Sequence, residues 1–253
     1  MTAMRRRLKK LFTIFVTPPT IAGSKFTTNL DTSFIKLIAA ISMVFDHVGM
    51  VFFPDVLWLR CIGRLSFPLF CYCMTVGMLY TKNIKKYMIR LAILAVISQP
   101  VYLMALYPDW SEQGIFPLNV FFTLLFSLAA VYGVRQRQWW LTFIGVYMLI
   151  AWDAMYSLMG FFYMLLFYLC RTKLIVGCLL LASMISGESV SIGNEIQSAA
   201  TIHNISVSPS IYAILSAPFI YIKTHVGLKI PKSIFYLFYP AHLMIIAFIR
   251  AVY

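Results

Sequence analysis

Long apolar segments, separated by short polar or basic stretches, make up the chain from residue 34 onward. Each of them is apolar enough to be a candidate membrane-spanning helix. Nine such segments can be counted: 34–53, 62–80, 87–107, 115–133, 139–152, 155–170, 174–186, 205–222 and 234–249. Three of these fall short of the ~20 residues that a perpendicular span needs, so eight or ten spans also fit the pattern. The pattern predicts an all-α fold, a polytopic helical bundle in a membrane.

The composition leads to the same prediction. Hydrophobic residues make up 61% of the 253 residues, charged residues make up only 11%, and the mean hydropathy is +0.84. A soluble core of this length could not bury so much apolar surface, so we expect an integral membrane protein. The five cysteines show neither zinc-ligand nor CxxC spacing. We interpret them as small packing residues and expect no metal.

The first 33 residues differ from the rest of the chain. They begin MTAMRRRLKKLFTIFV, a basic and amphipathic stretch without an A-x-A type cleavage site before Pro18 and Pro19. We interpret 1–33 as an amphipathic arm on the membrane surface, with a signal peptide or a disordered tail as alternatives. Because no composition break or repeat divides the remainder, 34–253 is predicted to be one transmembrane domain.

Basic residues are distributed unevenly between the two sides of the predicted bundle. The formal net charge of +13 could suggest nucleic-acid binding. With a cytoplasmic N-terminus, however, only Arg60, Arg64 and Arg250 of the 21 Lys and Arg residues fall outside the cytoplasmic segments. The positive-inside rule therefore predicts a cytoplasmic N-terminus and a C-terminus on the opposite side. The expected partner of this charge is the lipid bilayer, and no nucleic-acid partner is expected.

Several polar residues interrupt the apolar segments at similar depths in the outer half of the predicted bundle. They are Asp46, His47, Arg64, Gln99, Asn119, Asp153 and His242. A charged residue at the centre of a spanning helix costs roughly 2.5 to 3.5 kcal/mol on insertion scales, so these groups must pair or face a wet cavity. Neighbouring residues on a helix point about 100° apart, so Asp46 and His47 should reach different partners. We expect an Asp46–Arg64 pair and a His47 ring oriented by a carboxylate.

A structural interpretation also exists for several of these residues. Arg64 could be an interfacial arginine whose head group snorkels to water. Gln99 and Asn119 could hold helices together, and Asp153 could be a turn residue. For His47 and His242, a chemical role is the favoured interpretation.

Three stretches of the sequence resemble the TraX family. KLIAAISMVFDHVGMVFF, LRCIGRLSFPLFCYCMTVGMLY and FYLFYPAHLMIIAFI carry DH, GRxxFPLF and YPxHL motifs in the family's order, and the resemblance covers roughly 34–253. The best-known role of that family is N-terminal acetylation of conjugative pilin. More distantly, the first two segments are similar to a superfamily of transmembrane acyltransferases, in which an intramembrane histidine serves transfer from a cytoplasmic acyl-CoA to an acceptor on the other side.

The resemblance implies roles for particular residues. His47 is the expected catalytic residue, with Asp46, Arg64 and His242 in support. We expect Tyr239 of the YPxHL motif, together with Gln99, Asn119 and Asp153, to contact the substrate. The implied location is the bacterial inner membrane, and the implied partners are a pilin or similar acceptor peptide and acetyl-CoA.

The residue types are suited to acyl transfer independently of the family resemblance. An imidazole can remove a proton from an amine near neutral pH or carry the acyl group itself. Arg64 or Asn119 could stabilise the oxyanion that forms. The phosphates of a cytoplasmic acetyl-CoA need a cationic site, for which the inner loop offers Lys82, Lys85, Lys86 and Arg90. The same charges could serve topology alone.

Three functions therefore compete at the level of sequence. The leading hypothesis is a membrane acetyltransferase that acts on the N-terminal amine of pilin at the outer face of the inner membrane. The alternative is a proton-coupled secondary transporter, because an intramembrane Asp, His and Arg also describe a proton relay. No repeated halves with interrupted helices support that alternative. A third possibility is a non-catalytic scaffold in pilus assembly.

Overall fold

The computed structural model describes residues 28–109, 111, 116–152, 156–171, 181, 190–192, 200–202 and 205–252. In chain order, the α-helices are α1 (Thr32–Val51), α2 (Leu57–Gly63), α3 (Ser66–Tyr80), α4 (Ile84–Leu106), α5 (Val120–Gln136), α6 (Trp139–Ala151), α7 (Ser157–Leu169), α8 (Ala217–Tyr221) and α9 (Lys232–Val252). The predicted helical class is confirmed for these residues, whereas the count of nine spans stays a prediction.

Four stretches in the described part of the chain are long and apolar enough to cross a membrane. They are Thr32–Val51, Leu57–Tyr80, Ile84–Leu106 and Ser233–Val252. They correspond to the predicted segments 34–53, 62–80, 87–107 and 234–249. Helices α5, α6 and α7 are apolar but shorter, at 17, 13 and 13 residues. The chain is an integral membrane protein.

The prediction of one spanning helix over 205–222 was wrong. The structure has a short strand there, β3 (Ile205–Val207), then a 3₁₀ helix (Pro209–Ser216), then the single turn and a half of α8. Prolines explain the breaks, because Pro209 and Pro218 have no N–H to donate and each starts a new helical segment instead. Strand β3 pairs antiparallel with both β1 (Val190–Ile192) and β2 (Ala200–Ile202), in the order β1-β3-β2.

Side-chain caps set the first residue of several helices. Helix α5 starts at Val120, later than the predicted start at 115, because Asn119 accepts a hydrogen bond from the Phe121 N–H. Asp31 and Asn83 cap α1 and α4 in the same way. Between α2 and α3 the helical path is interrupted at Arg64 and Leu65. That interruption lies beside the polar residues described below.

The core consists of two principal clusters of buried apolar side chains. The larger one is formed mainly by α3, α5 and α7, around residues such as Leu69, Leu128 and Met164. The second one joins α1, α4 and α9 through Met43, Tyr102, Tyr239 and Leu243. The guanidinium of Arg135 donates to the Met78 carbonyl at 3.0 Å, which holds the last turn of α5 against that of α3. These clusters bring α1, α3, α4 and α9 around a common centre.

Parts of the sequence predictions lie outside the described residues. They comprise 1–27 of the predicted arm, nearly all of the predicted span 174–186, and Asp153. The arm and the role of Asp153 therefore stay predictions, as does the boundary of the transmembrane domain. Thr28 and Asn29, which were assigned to the arm, are buried, and Asn29 donates to the Phe219 carbonyl at 2.9 Å.

The contact between α5 and α6 depends on a glycine. A Cβ atom added at Gly145 would lie 2.7 Å from the Phe126 carbonyl oxygen and 2.9 Å from the Ala130 Cβ. The backbone cannot move aside cheaply, so Gly145→Ala should destabilise the protein by about 1 to 3 kcal/mol through overpacking. A thermal melt in detergent checks this. Ile144→Ala, on the exposed face of the same helix, is the control and should melt close to the wild type. An unchanged melting temperature for Gly145→Ala would contradict the packing described here.

Candidate functional site

Two arginines surround one buried carboxylate near the C-terminal end of α1. The Asp46 Oδ1 atom lies 2.8 Å from the Arg64 Nη2 atom and 3.0 Å from the Arg60 Nη1 atom. Arg60 also donates to the Asp46 carbonyl at 3.2 Å. Asp46 is buried, while the two arginine side chains are partly exposed. The predicted Asp46–Arg64 pair is present, and the three groups together carry one surplus positive charge.

The sequence explains why this cluster forms. Gly63 packs directly against Asp46, and any larger residue there would overlap the carboxylate. Arg60 and Arg64 are four residues apart, so they project from the same side of the α2 turn. Arg60 was not predicted as a site residue, although its spacing relative to Arg64 could have indicated it. Tyr156 was also missed; its hydroxyl lies 3.5 Å from the Arg64 Nη1 atom.

The two candidate histidines contact each other. The His47 Nδ1 atom lies 2.9 Å from the His242 Nε2 atom, and the two residues are 195 positions apart in the sequence. The ring planes are nearly parallel, at 6°, with centroids 5.1 Å apart. Parallel planes with so short an N–N distance fit a hydrogen bond lying in the plane of both rings. His47 was expected to be oriented by a carboxylate, and its Nδ1 partner is instead a second imidazole.

The hydrogen bonds of His242 fix the proton positions of the pair. The His242 Nδ1 atom lies 2.9 Å from the Phe238 carbonyl oxygen, which can only accept. The Nδ1 atom must therefore carry the proton, and the Nε2 atom of a neutral His242 must accept. It follows that His47 donates from Nδ1 and holds a lone pair on Nε2. Both rings are buried, and neutral rings avoid the cost of an unpaired buried charge.

Aromatic side chains enclose the histidine pair on the side of α5 and α9. The Tyr239 ring makes edge contacts with both imidazoles, with centroid distances of 6.5 Å to His47 and 5.4 Å to His242. Phe121 packs edge-on against Tyr239 at 4.5 Å. Phe238 lies parallel to the His242 ring at 5.2 Å. These contacts surround that side of the pair with aromatic rings.

A cavity of about 620 Å³ runs from a basic end of the bundle to this aromatic wall. Its basic end is lined by Lys36, Lys82, Lys86 and Arg90. Its other end is lined by Met43, Phe121, Phe238 and Tyr239. Lys85, predicted to belong to the cationic site, is not among the lining residues. The cavity thus connects three of the four predicted cofactor-binding residues to the residues that contact the histidines.

One face of α1 follows the length of this cavity. Lys36, Ala40 and Met43 line it, and His47 lies on the same helical face because the spacings are four, three and four residues. At 1.5 Å per residue, Lys36 and His47 are about 16 Å apart along the helix axis. The basic end and the imidazole pair are therefore separated by about half the thickness of a bilayer core.

Gln99 and Asn119 form a hydrogen-bonded network of their own. The Asn119 side-chain amide donates to the Ala95 carbonyl at 2.7 Å and to the Gln99 Oε1 atom at 2.8 Å. Gln99 donates to the Pro117 carbonyl at 2.8 Å. These bonds join α4 to the start of α5, which matches the structural interpretation of both residues. Their predicted contact with substrate stays a prediction.

The described residues contain no group of three or more His, Cys, Asp and Glu side chains arranged to hold a metal ion. The side chains described at the site offer imidazole, guanidinium, carboxylate and phenol groups. Together they provide a proton acceptor, positive charge and hydroxyl donors within an apolar enclosure.

Comparison with known proteins assigns the chain to a family. FimC of Dichelobacter nodosus, named a probable fimbrial assembly protein, serogroup H1, is 35% identical over 114 residues, which is 41% of this chain and 47% of that protein. Protein TraX of Escherichia coli K12 is 29% identical over 122 residues, which is 48% of this chain and 47% of that protein. The chain thus matches about half the length of these relatives, and no solved structure matches it. The family described as TraX protein matches residues 31–250, and the chain therefore belongs to the TraX family.

Proposed function

We propose that this protein is a membrane acetyltransferase that moves an acetyl group from cytoplasmic acetyl-CoA to an acceptor at the outer face of the inner membrane. The observation that carries the proposal is the cavity, which joins a basic end to residues in contact with the His47–His242 pair. The most suitable acceptor is the N-terminal amine of a pilin, because family membership and the fimbrial name of one relative both point to surface filaments.

The donor binds with its phosphates at the basic end of the cavity. Lys82, Lys86 and Arg90 supply charge-assisted hydrogen bonds to phosphate oxygens, and Lys36 adds a fourth positive charge. The apolar interior beyond them suits the acyl-bearing arm of the donor, whose thioester is carried toward Tyr239. Lys85, close by in sequence, contributes long-range attraction to the same anion.

The His47 Nε2 atom is the base of the reaction. It takes a proton from the neutral amine of the acceptor as the amine nitrogen bonds to the thioester carbonyl carbon. The tetrahedral intermediate then collapses, the carbon–sulfur bond breaks, and the imidazolium returns the proton to the leaving thiolate. The same lone pair could attack the thioester directly and carry the acetyl group as an acyl-imidazole. His242 is a positioning residue, because it keeps the lone pair on Nε2 of His47.

The Asp46–Arg60–Arg64 cluster supports this chemistry electrostatically. Its surplus positive charge lies beside His47, the sequence neighbour of Asp46. Asp46 also ties α1 to α2 through two charged contacts. We assign Asp46, Arg60 and Arg64 to holding the outer end of α1 in place and setting the local charge.

The first test removes the proposed base. Purified protein in nanodiscs, incubated with radiolabelled acetyl-CoA and pilin, should transfer label to the pilin N-terminus, and His47→Ala should reduce that transfer by on the order of 10²-fold or more. His225→Ala, an exposed histidine, is the control and should transfer normally. Full transfer by His47→Ala would remove His47 from the mechanism. Proton-coupled uptake in vesicles that contain no acyl donor would favour the transporter alternative.

A second test examines the positioning role of His242. A glutamine places its amide oxygen where the His242 Nε2 atom lies, whereas an asparagine is one bond too short, so His242→Gln should retain most activity. His242→Asn and His242→Ala should lower kcat by on the order of 10²-fold, because the His47 tautomer is no longer fixed. The pH profile of kcat should change shape in these two variants and not in His242→Gln. Equal activity of all three variants would contradict the role.

A third test concerns donor binding at the basic end. The double variant Lys86→Gln, Arg90→Gln should raise the KM for acetyl-CoA by about tenfold or more, because hydrogen bonds to charged groups contribute roughly 1.5 to 3 kcal/mol each. Its kcat should change little, and its KM should depend less on salt. The double variant Lys223→Gln, Lys229→Gln, at two exposed lysines, is the charge-matched control. An unchanged KM in the Lys86→Gln, Arg90→Gln variant would show that the acetyl-CoA phosphates bind elsewhere.

A further inference from the structure

Tyr239 occupies the boundary between the cavity and the histidine pair. It lines the cavity, and its ring contacts both imidazoles edge-on. Phe121 presses against its face from α5, with the ring centroids 4.5 Å apart. Tyr239 is only 2% exposed. A thioester that enters from the basic end must meet this side chain before it reaches His47.

The Tyr239 hydroxyl is buried without a hydrogen-bond partner among the described residues. The backbone N–H of Val120 approaches the hydroxyl oxygen without completing a hydrogen bond, and as a donor it could use only the oxygen. The hydroxyl proton is therefore uncommitted. A buried polar group without a partner lowers stability, and such groups in native proteins call for an explanation.

We propose that the Tyr239 hydroxyl donates a hydrogen bond to the carbonyl oxygen of the donor thioester and stabilises the oxyanion that forms on it. The inference rests on the proposed acetyltransferase function and deepens it by naming the oxyanion donor. During the step, the nucleophile bonds to the carbonyl carbon and the carbonyl π electrons move to oxygen. Tyr239 keeps its proton throughout and shares it with that oxygen. The carbon–oxygen double bond re-forms as the carbon–sulfur bond breaks.

The other residues considered for this role are less suitable. Arg64 also has a buried Nε–H without a partner, but its Nη2 atom is held by Asp46 at 2.8 Å and the residue does not line the cavity. Both hydrogens of the Asn119 amide are used, by the Ala95 carbonyl and by Gln99. Tyr239 alone among these three lines the cavity while holding an uncommitted donor. A donor of this kind acts strongly on the transition state because charge develops on the oxygen only then.

Tyr239→Phe tests the proposal, because it removes the hydroxyl and keeps the ring contacts. In the acetyl-transfer assay its kcat should fall by on the order of 10²-fold, as for loss of one oxyanion donor, with the KM for acetyl-CoA nearly unchanged. Its melting temperature should equal or exceed that of the wild type, because an unpaired buried hydroxyl has been removed. Tyr221→Phe, a buried tyrosine that does not line the cavity, is the control and should keep the wild-type kcat.

The outcomes separate this proposal from the function on which it rests. If the wild-type protein transfers acetyl groups and Tyr239→Phe has the same kcat, Tyr239 is not the oxyanion donor and the acetyltransferase assignment stands. A rise in KM with an unchanged kcat would make Tyr239 a donor-binding residue and would also overturn the proposal. If the wild-type protein transfers no acetyl group under conditions in which it binds acetyl-CoA, the proposed function and this inference fail together.

Discussion

The hydrogen bond between His47 and His242 is the interaction on which the proposed chemistry depends. It joins α1 to α9 inside an apolar bundle, where each imidazole must find its partner within the protein. The Phe238 carbonyl can only accept, so the His242 Nδ1 atom carries the proton. The His242 Nε2 atom must then accept a hydrogen bond from the His47 Nδ1 atom. As a result the His47 Nε2 atom holds a lone pair, and no carboxylate is needed to fix this tautomer. The hydrogen bond between His242 and the Phe238 carbonyl, both on α9, thus determines which ring nitrogen of His47 on α1 carries the proton.

Charge is divided between the two ends of the bundle. Four cationic side chains line the cavity where α1, α4 and α9 begin, while the Asp46 cluster lies at the far end of α1. Among the described residues that line the cavity there is no carboxylate beside the first group, so its charge is available to an anion. In the second group Asp46 neutralises one of its two arginines. This division suits a donor that arrives with phosphates at one side and reacts at the other.

The sequence predicted those features that follow from the cost of polar groups in lipid. The long spans, the burial of Asp46 and His47 and the Asp46–Arg64 pair all follow from that cost. The His47–His242 bond could not be predicted, because nothing local relates residues that lie 195 positions apart. The cavity likewise arises from the packing of five helices, α1, α3, α4, α5 and α9. One spanning helix was wrongly predicted over 205–222 because the segment is as apolar as a span. Its prolines divide it into shorter helical pieces.

The protonation of the histidine pair can be measured directly. Nitrogen-15 NMR of the protein labelled at histidine, in nanodiscs at neutral pH, distinguishes a protonated ring nitrogen from one with a lone pair, and His47→Ala and His242→Ala samples assign the signals. The account predicts that both His47 and His242 carry their proton on Nδ1 and have a bare Nε2. A His47 ring protonated on Nε2, or present as an imidazolium, would contradict it.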